Sequence, residues 1–419
     1  VALAAFKILK SRGLASKMLV IAPKRAVQVT WPDEIAKWSN FSDLTYTVLH
    51  GEDKNSALHK QSDIYLINPD GLKWFYDPAY GRWKKHKFDI LCIDESTDFK
   101  NYSTRRFKLL KAHLPDFHRR WILTGSPRPK AFEDLFSQVY ILDLGRALGR
   151  FITHFRKEFL YADEYKPFTW YVRPGMFDVA MDRIAPLVYQ LNAEDHLKMP
   201  ELIPVEVPVV LPPAARKIYN EVEDEFITVL QAGTLVANNA AAAGTKCRQI
   251  ANGAVYLEDG SWELIHDAKI EALTSLVDAL KGTPLLVLYE FAHDQERLQK
   301  AFPEATTLTA GMEGEPLRKL VADFNAGKIP ILLGHPQTTG ISLNLQGACH
   351  HVIWFGITWN LLYYDQTIGR VWRQGQKEDT VMVYHIVAKD TRDEKVVKVL
   401  EEKDRDQQAV LDALASYRK

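Results

Sequence analysis

Short apolar runs that stop abruptly at polar or turn residues alternate, twice along this chain, with stretches of helical periodicity. In the first third the runs are KMLVIAP (17–23), DIYLINP (63–69), FDILCIDE (88–95) and RRWILTG (119–125). A strand buried on both faces of a parallel sheet has no polar side, so it reads as a continuous apolar run rather than as an alternation. Helical patterns lie between the runs: WPDEIAKW, where Pro32 suits a first turn, and STRRFKLLKAHL, where Ser103 is placed to cap. Strand and helix in turn predict a doubly wound α/β domain. The rhythm returns after residue 265, with AKIEALTSLVDALKG and QERLQKAF as helices and PLLVLYE, IPILLG, HHVIWF and TVMVYHIV as strands. A second α/β lobe is therefore expected.

Between the two series the pattern breaks. Eight prolines (167, 174, 186, 200, 204, 208, 212 and 213) precede ARKIYNEVEDEFITVLQAG and the Ala-rich NNAAAAGTKCRQIA, which together read as a helical insertion. The expected organisation is a first lobe over 1–160, the insertion over 161–265 and a second lobe over 266–419. The charged tail from Thr391 to Lys419 is expected to form an amphipathic helix packed on a lobe. The opening VALAAFKILKSRG reads as a helix already under way, ending at Gly13, with no initiator Met and no polar cap.

Composition narrows the function. Hydrophobic residues at 47% and charged residues at 25% exclude bulk disorder, and no apolar stretch approaches the roughly 20 residues that span a bilayer. The 53 Lys and Arg cancel the 53 Asp and Glu, so any basic surface must be local. Residues 82–130 supply one, with 13 Lys or Arg against five acids, the excess that tracking a phosphate backbone needs; a solvated basic helix is the plainer alternative. Cys92, Cys247 and Cys349 show no C-x-x-C pair or zinc spacing and read as buried, reduced thiols of a cytoplasmic protein. Trp31 and Trp38, seven apart on a helical pattern, are expected in the core rather than stacked on bases.

Three segments carry chemistry. In ILCIDESTDFKN an apolar run leads straight into Asp94 and Glu95, two carboxylates at the carboxyl end of a buried strand, where α/β ligands bind. Such a pair also occurs in surface turns, but it is equipped to hold magnesium on a triphosphate and to orient a water. ILTGSPRPKAFEDLF ends a strand in Thr124, Gly125 and Ser126, either donors beside the acidic strand or a capped turn. In the second lobe, YDQTIGRVWRQGQ sets Arg370 and Arg373 three apart on a predicted helix, with Gln366 one turn earlier, a face suited to phosphate.

IDESTDFKN, ILTGSP and QTIGRVWRQGQ, in that order, resemble the motifs of Swi/Snf-type ATPases of the superfamily 2 helicases, and the resemblance covers nearly the whole chain. The short spacings look more like a phage or bacterial member than a eukaryotic remodeller, which implies the cytoplasm of a bacterial or phage-infected host cell. The resemblance implies two RecA-like (P-loop NTPase) lobes, ATP and Mg2+ as cofactors, and duplex DNA as partner, held mainly by its phosphate backbone with little sequence preference. It implies that Asp94 coordinates magnesium and Glu95 activates the attacking water. Arg370 and Arg373 act as arginine fingers placed with the help of Gln366, and Thr124, Gly125 and Ser126 couple hydrolysis to lobe movement. LVIAPKRAVQVTWPDEIAKW, with Pro23 and Lys24, is similar to the family's first-lobe segment that touches DNA. Gly340, Asn344 and Gln346 match a second-lobe segment linking DNA to nucleotide contact.

Two departures accompany it. Thr339 and Ser342 stand where the family carries glycine, and the phosphate-binding loop G-x-G-K-T is absent. The helix at Val1 resembles the one that follows that loop, so the expectation is a first lobe that starts just past it and, as given, does not hydrolyse ATP. The intact parent is expected to be an ATP-dependent DNA translocase, with partners among replication, recombination or repair proteins. The alternatives are a non-catalytic DNA-binding or assembly module that kept the fold, and a strand-separating helicase of the same superfamily.

Overall fold

The four apolar runs of the first third pair as neighbouring parallel strands. The computed structural model describes residues 1–125, 132–163, 169–189, 198–231, 237–340, 343–400 and 402, and the chain divides into two units, one spanning Val1–Leu191 and the other Asn192–Asp404. In the first unit, β1 (Met18–Ile21), β2 (Tyr46–Val48), β3 (Ile64–Ile67), β4 (Ile90–Asp94) and β5 (Arg119–Leu123) form a wholly parallel sheet in the order β2-β3-β1-β4-β5. Successive side chains leave opposite faces. Met18, Val20, Ile64, Leu66, Ile90 and Cys92 pack with Phe6 and Trp31 on one side, and Leu19, Ile21, Tyr65, Ile67, Leu91 and Ile93 with Phe107 and Leu110 on the other. Both faces are covered, which is why the sequence shows runs instead of alternation. The short strand β2, with Tyr46 exposed, offers no such run and escapes the pattern.

The helix Ala2–Ser11 stops where expected: Gly13 adopts φ +68° and donates its N–H to Lys10 O at 3.0 Å. One cap is corrected. The helix Arg105–His113 is capped by Thr104, whose hydroxyl accepts the Phe107 N–H at 3.3 Å, while Ser103 turns back to donate to Asn101 Oδ1 at 2.7 Å. Beyond β5, the helices Asp134–Asp143, Ile152–Phe159 and Met176–Ile184 and the hairpin of β6 (Leu160–Ala162) and β7 (Trp170–Val172) gather a separate core around Phe132, Phe136, Phe155, Phe159 and Met181.

The second unit holds β8 (Glu201–Val209), the antiparallel hairpin of β9 (Ala254–Tyr256) and β10 (Trp262–Leu264), then β11 (Leu285–Leu288), β12 (Thr306–Leu308), β13 (Ile331–Gly334), β14 (His351–Trp354) and β15 (Thr380–Ala388). Its sheet is again parallel throughout, in the order β12-β13-β11-β14-β15-β8. The stretch read as helical does contain the helices Pro213–Gln231 and Ala237–Asn252, but nine of its residues form β8. Pro204 and Pro208 mask the alternating Val205, Val207 and Val209 in the sequence, and prolines are tolerated there because β8 is an edge strand. Helix resumes at 392–400, and the charged tail from 403 onward lies outside the described residues.

Cys92, Cys247 and Cys349 are free and buried, and burial pushes the Cys349 thiol up to about 12. Trp31 is buried as expected. Trp38 is 50% exposed, with its indole N–H donated to Glu34 at 2.9 Å, so for Trp38 the core expectation is corrected. No helix among the described residues is long and apolar enough to cross a membrane.

Candidate active site

Parallel strands in register end together, so the first sheet has one carboxyl edge. Asp94 is the last residue of β4, and Glu95 follows it with φ +56° and ψ +61°, a left-handed conformation that costs a non-glycine residue about 1–3 kcal/mol and concentrates at functional sites. The turn is anchored from below: Ser96, fully buried, donates to Gln138 Oε1 at 2.7 Å on the helix Asp134–Asp143. On one flank, Ile21 of β1 is level with Ile93 of β4, which sets Pro23 and Lys24 just beyond the same edge. On the other, Leu123 of β5 pairs with Asp94, so Thr124 and Gly125 come next to the acidic pair. Ser126 lies outside the described residues.

Asp94 also receives a hydrogen bond that the sequence did not suggest. The indole N–H of Trp31 donates to its Oδ2 at 2.9 Å. No spacing rule links residues 63 apart, and the heptad-like interval to Trp38 drew attention to packing instead. Nearby, burial raises the Asp98 pKa, partly offset by Arg106 at 3.3 Å.

The second unit assembles its own set of residues. Gln366 lies on the helix Leu361–Ile368, which Asn360 caps by accepting the Leu362 N–H at 3.2 Å. Arg370 and Arg373 are not on that helix, which corrects the expectation of a shared helical face: it ends at Ile368, and the chain turns through Gly369. The turn still brings both arginines onto the segment predicted to work with them. Arg370 donates to Gln366 O at 2.8 Å and Leu343 O at 3.4 Å, and Arg373 donates to Asn344 Oδ1. Gln346 donates to Gln374 O at 3.5 Å.

Gly340 packs against the same helix, where a Cβ would lie 3.0 Å from Pro336 O and 3.2 Å from the Gln366 Cβ. Thr339, unexpected at a glycine position, is fully buried; its hydroxyl donates to His335 O at 3.0 Å and fills the space above Gly334. Ser342 lies outside the described residues. At the carboxyl ends of β11 and β14 the sequence reading missed an ion pair. Arg248 meets Glu290 at 3.1 Å and donates to Ile357 O at 2.9 Å, while burial raises the Glu290 pKa against the pull of Arg248.

Among the described residues no three His, Cys, Asp or Glu side chains cluster to hold an ion by themselves. The Asp94–Glu95 pair has instead the hard oxygen donors that suit a magnesium ion arriving on a nucleotide, with phosphate oxygens and waters completing its octahedron.

Two parallel α/β sheets, each with its motif residues gathered beyond the strand ends, are the RecA-like lobes of a helicase-type ATPase. Residues 2–166 match the SNF2-related domain and residues 268–375 the helicase conserved C-terminal domain. The phage protein p41 of Acyrthosiphon pisum secondary endosymbiont phage 1 is 36% identical, over 94% of this chain and 88% of its own. The ATP-dependent helicase YqhH of Bacillus subtilis is 23% identical over 94% of this chain and 70% of its own. A solved SWI2/SNF2 ATPase core from Sulfolobus solfataricus, in complex with dsDNA, is 21% identical, covering 98% of this chain and 85% of that one with a TM-score of 0.42. The chain belongs to the SNF2 family of superfamily 2 helicases.

Proposed function

We propose that this chain is the motor of an ATP-dependent DNA translocase. The observation that carries the reading is the carboxyl edge of the first sheet, where Asp94, Glu95, Thr124 and Lys24 converge from three adjacent strands. Asp94 holds the magnesium ion, which, when bound, screens the phosphate charge. Glu95, fixed by its strained backbone, orients the attacking water and takes its proton. Arg370 and Arg373 supply guanidinium charge for the developing negative charge on the phosphoryl group, and the turn that holds them to Gln366 and Asn344 keeps them preorganised. Thr124, Gly125 and Ser126 link hydrolysis to conformational change, while Pro23, Lys24, Gly340, Asn344 and Gln346 serve the nucleic-acid side.

DNA as the track is supported by the 13-to-5 excess of basic over acidic residues in 82–130, which suits phosphate contacts rather than base readout. The test is ATP turnover by the full-length protein with and without duplex DNA. Glu95→Gln should abolish DNA-stimulated hydrolysis and keep nucleotide binding, and Arg373→Ala should lower turnover about 10³-fold or more. Unchanged turnover in Glu95→Gln refutes the assignment. Displacement of a triplex strand without duplex unwinding distinguishes translocation from strand separation.

A further inference from the structure

Trp31 joins two features that the site description leaves separate. Behind it, Ala26–Thr30 is a π-helical turn, closed by the Trp31 N–H donating to Ala26 O. Such turns are rare and recur at functional sites, because the extra residue loosens the regular ladder and re-aims the side chains that follow. This turn begins directly after Pro23–Arg25, at the carboxyl end of β1. Trp31 is 7% exposed and belongs to the buried cluster with Met18, Val20 and Cys92, so its position is set by the sheet. Its one polar atom, the indole N–H, donates to Asp94 Oδ2 at 2.9 Å.

We propose that Trp31 is a positioning residue for Asp94, and that it transmits nucleic-acid contact at Pro23 and Lys24 to the magnesium-holding carboxylate. The inference rests on the reading of Asp94 given above. A neutral N–H suits this task. It fixes the plane of the carboxylate without cancelling the charge a cation needs, whereas a lysine in its place would compete with the metal. The π turn supplies the sensitivity: a backbone segment with one residue to spare changes register at low cost, and any such change moves the indole that begins the next helix.

The experiment uses the full-length protein, with Trp31→Phe keeping an aromatic ring while deleting the N–H. Its apparent KM for Mg2+ should rise about tenfold or more, the usual effect of losing a partner that orients a metal-holding group, with little change in the KM for ATP. A second readout needs neither catalysis nor a folded Trp31 variant. Among the indole resonances of the ¹H–¹⁵N spectrum, one should shift in Asp94→Ala and should shift again in the wild type when duplex DNA is added without nucleotide. The inference fails if no indole resonance responds to Asp94→Ala, or if the responding one ignores DNA. It fails too if Trp31→Phe keeps the wild-type Mg2+ KM while Glu95→Gln abolishes turnover. Persistent turnover in Glu95→Gln overturns the functional reading instead.

Discussion

Lys269 is a fully enclosed charge in the second unit, and it makes a quantitative demand. Its ammonium is 0% exposed and has three N–H donors for three acceptors: Asp393 Oδ2 at 2.6 Å, Asn252 Oδ1 at 2.8 Å and Phe355 O at 3.2 Å. These tie together the start of the helix Ala268–Ala279, the end of the helix Ala237–Asn252, the chain after β14 and the start of the helix that resumes at 392. At an effective dielectric of about 20, the attraction to Asp393 is roughly 6 kcal/mol, of the same order as the cost of dehydrating the two ions. The pair is therefore nearly neutral as a pair and severe when broken. Asp393→Ala, which strands the ammonium and removes the acceptor of the Ala388 N–H, should destabilise the second unit by about 3–5 kcal/mol. With a urea slope of about 3 kcal/mol per molar, the midpoint should fall by about 1–1.7 M. Lys269→Met combined with Asp393→Ala should recover most of that, leaving about 1–3 kcal/mol for the acceptors of Asn252 and Phe355. Urea titrations of the three proteins decide it. An Asp393→Ala midpoint within about 0.3 M of wild type, or a double variant no better than the single, refutes the reasoning.

Other expectations follow from the same unit. Burial lowers the pKa values of His266, His351 and His385 to about 4, so between pH 6.5 and 4 the unfolded chain binds protons that the folded chain refuses, and stability falls as pH falls through that window. From pH 7 to 5.5 each histidine should remove about 1 kcal/mol; a urea midpoint that stays level over this range contradicts the assignment. Gly334→Ala puts its Cβ 2.2 Å from the Thr339 hydroxyl and should cost about 1–3 kcal/mol, and adding Thr339→Ala should restore most of it. A thermal melt in which the second substitution brings no recovery removes Thr339 as the obstacle.

What the sequence shows of this molecule depends on whether the determining contact is local. Ile90–Asp94 and Leu285–Leu288 announce themselves because strands buried on both faces must be apolar at every position. Asp94 and Glu95 stand out because they directly follow such a strand, and Arg370 and Arg373 because they sit in the unusual string QTIGRVWRQGQ. Glu201–Val209 was hidden by two prolines that only an edge strand accepts, and edge position is decided by the pairing partner Thr380–Ala388. The arginine turn was read as helix because the three-residue spacing fits both, and the break falls at Gly369, four residues after Asp365, whose carbonyl accepts the Gly369 N–H at 2.9 Å. The Trp31–Asp94 and Arg248–Glu290 contacts have no sequence signature, since each joins residues that only the folded sheets bring together.

The strand β8 also has a history during synthesis. Its neighbour among the described residues, β15, is roughly 170 residues downstream, so at ribosomal speeds of about 5–20 residues per second it waits on the order of 10–30 s for a partner. An apolar strand left open that long invites pairing with another nascent chain. Pro204 and Pro208 withhold N–H donors from any such stranger, while the charges of Glu201 and Glu206 keep the waiting segment in water. The same residues that obscured the strand from sequence reading thus disfavour its pairing with another chain until β15 is made.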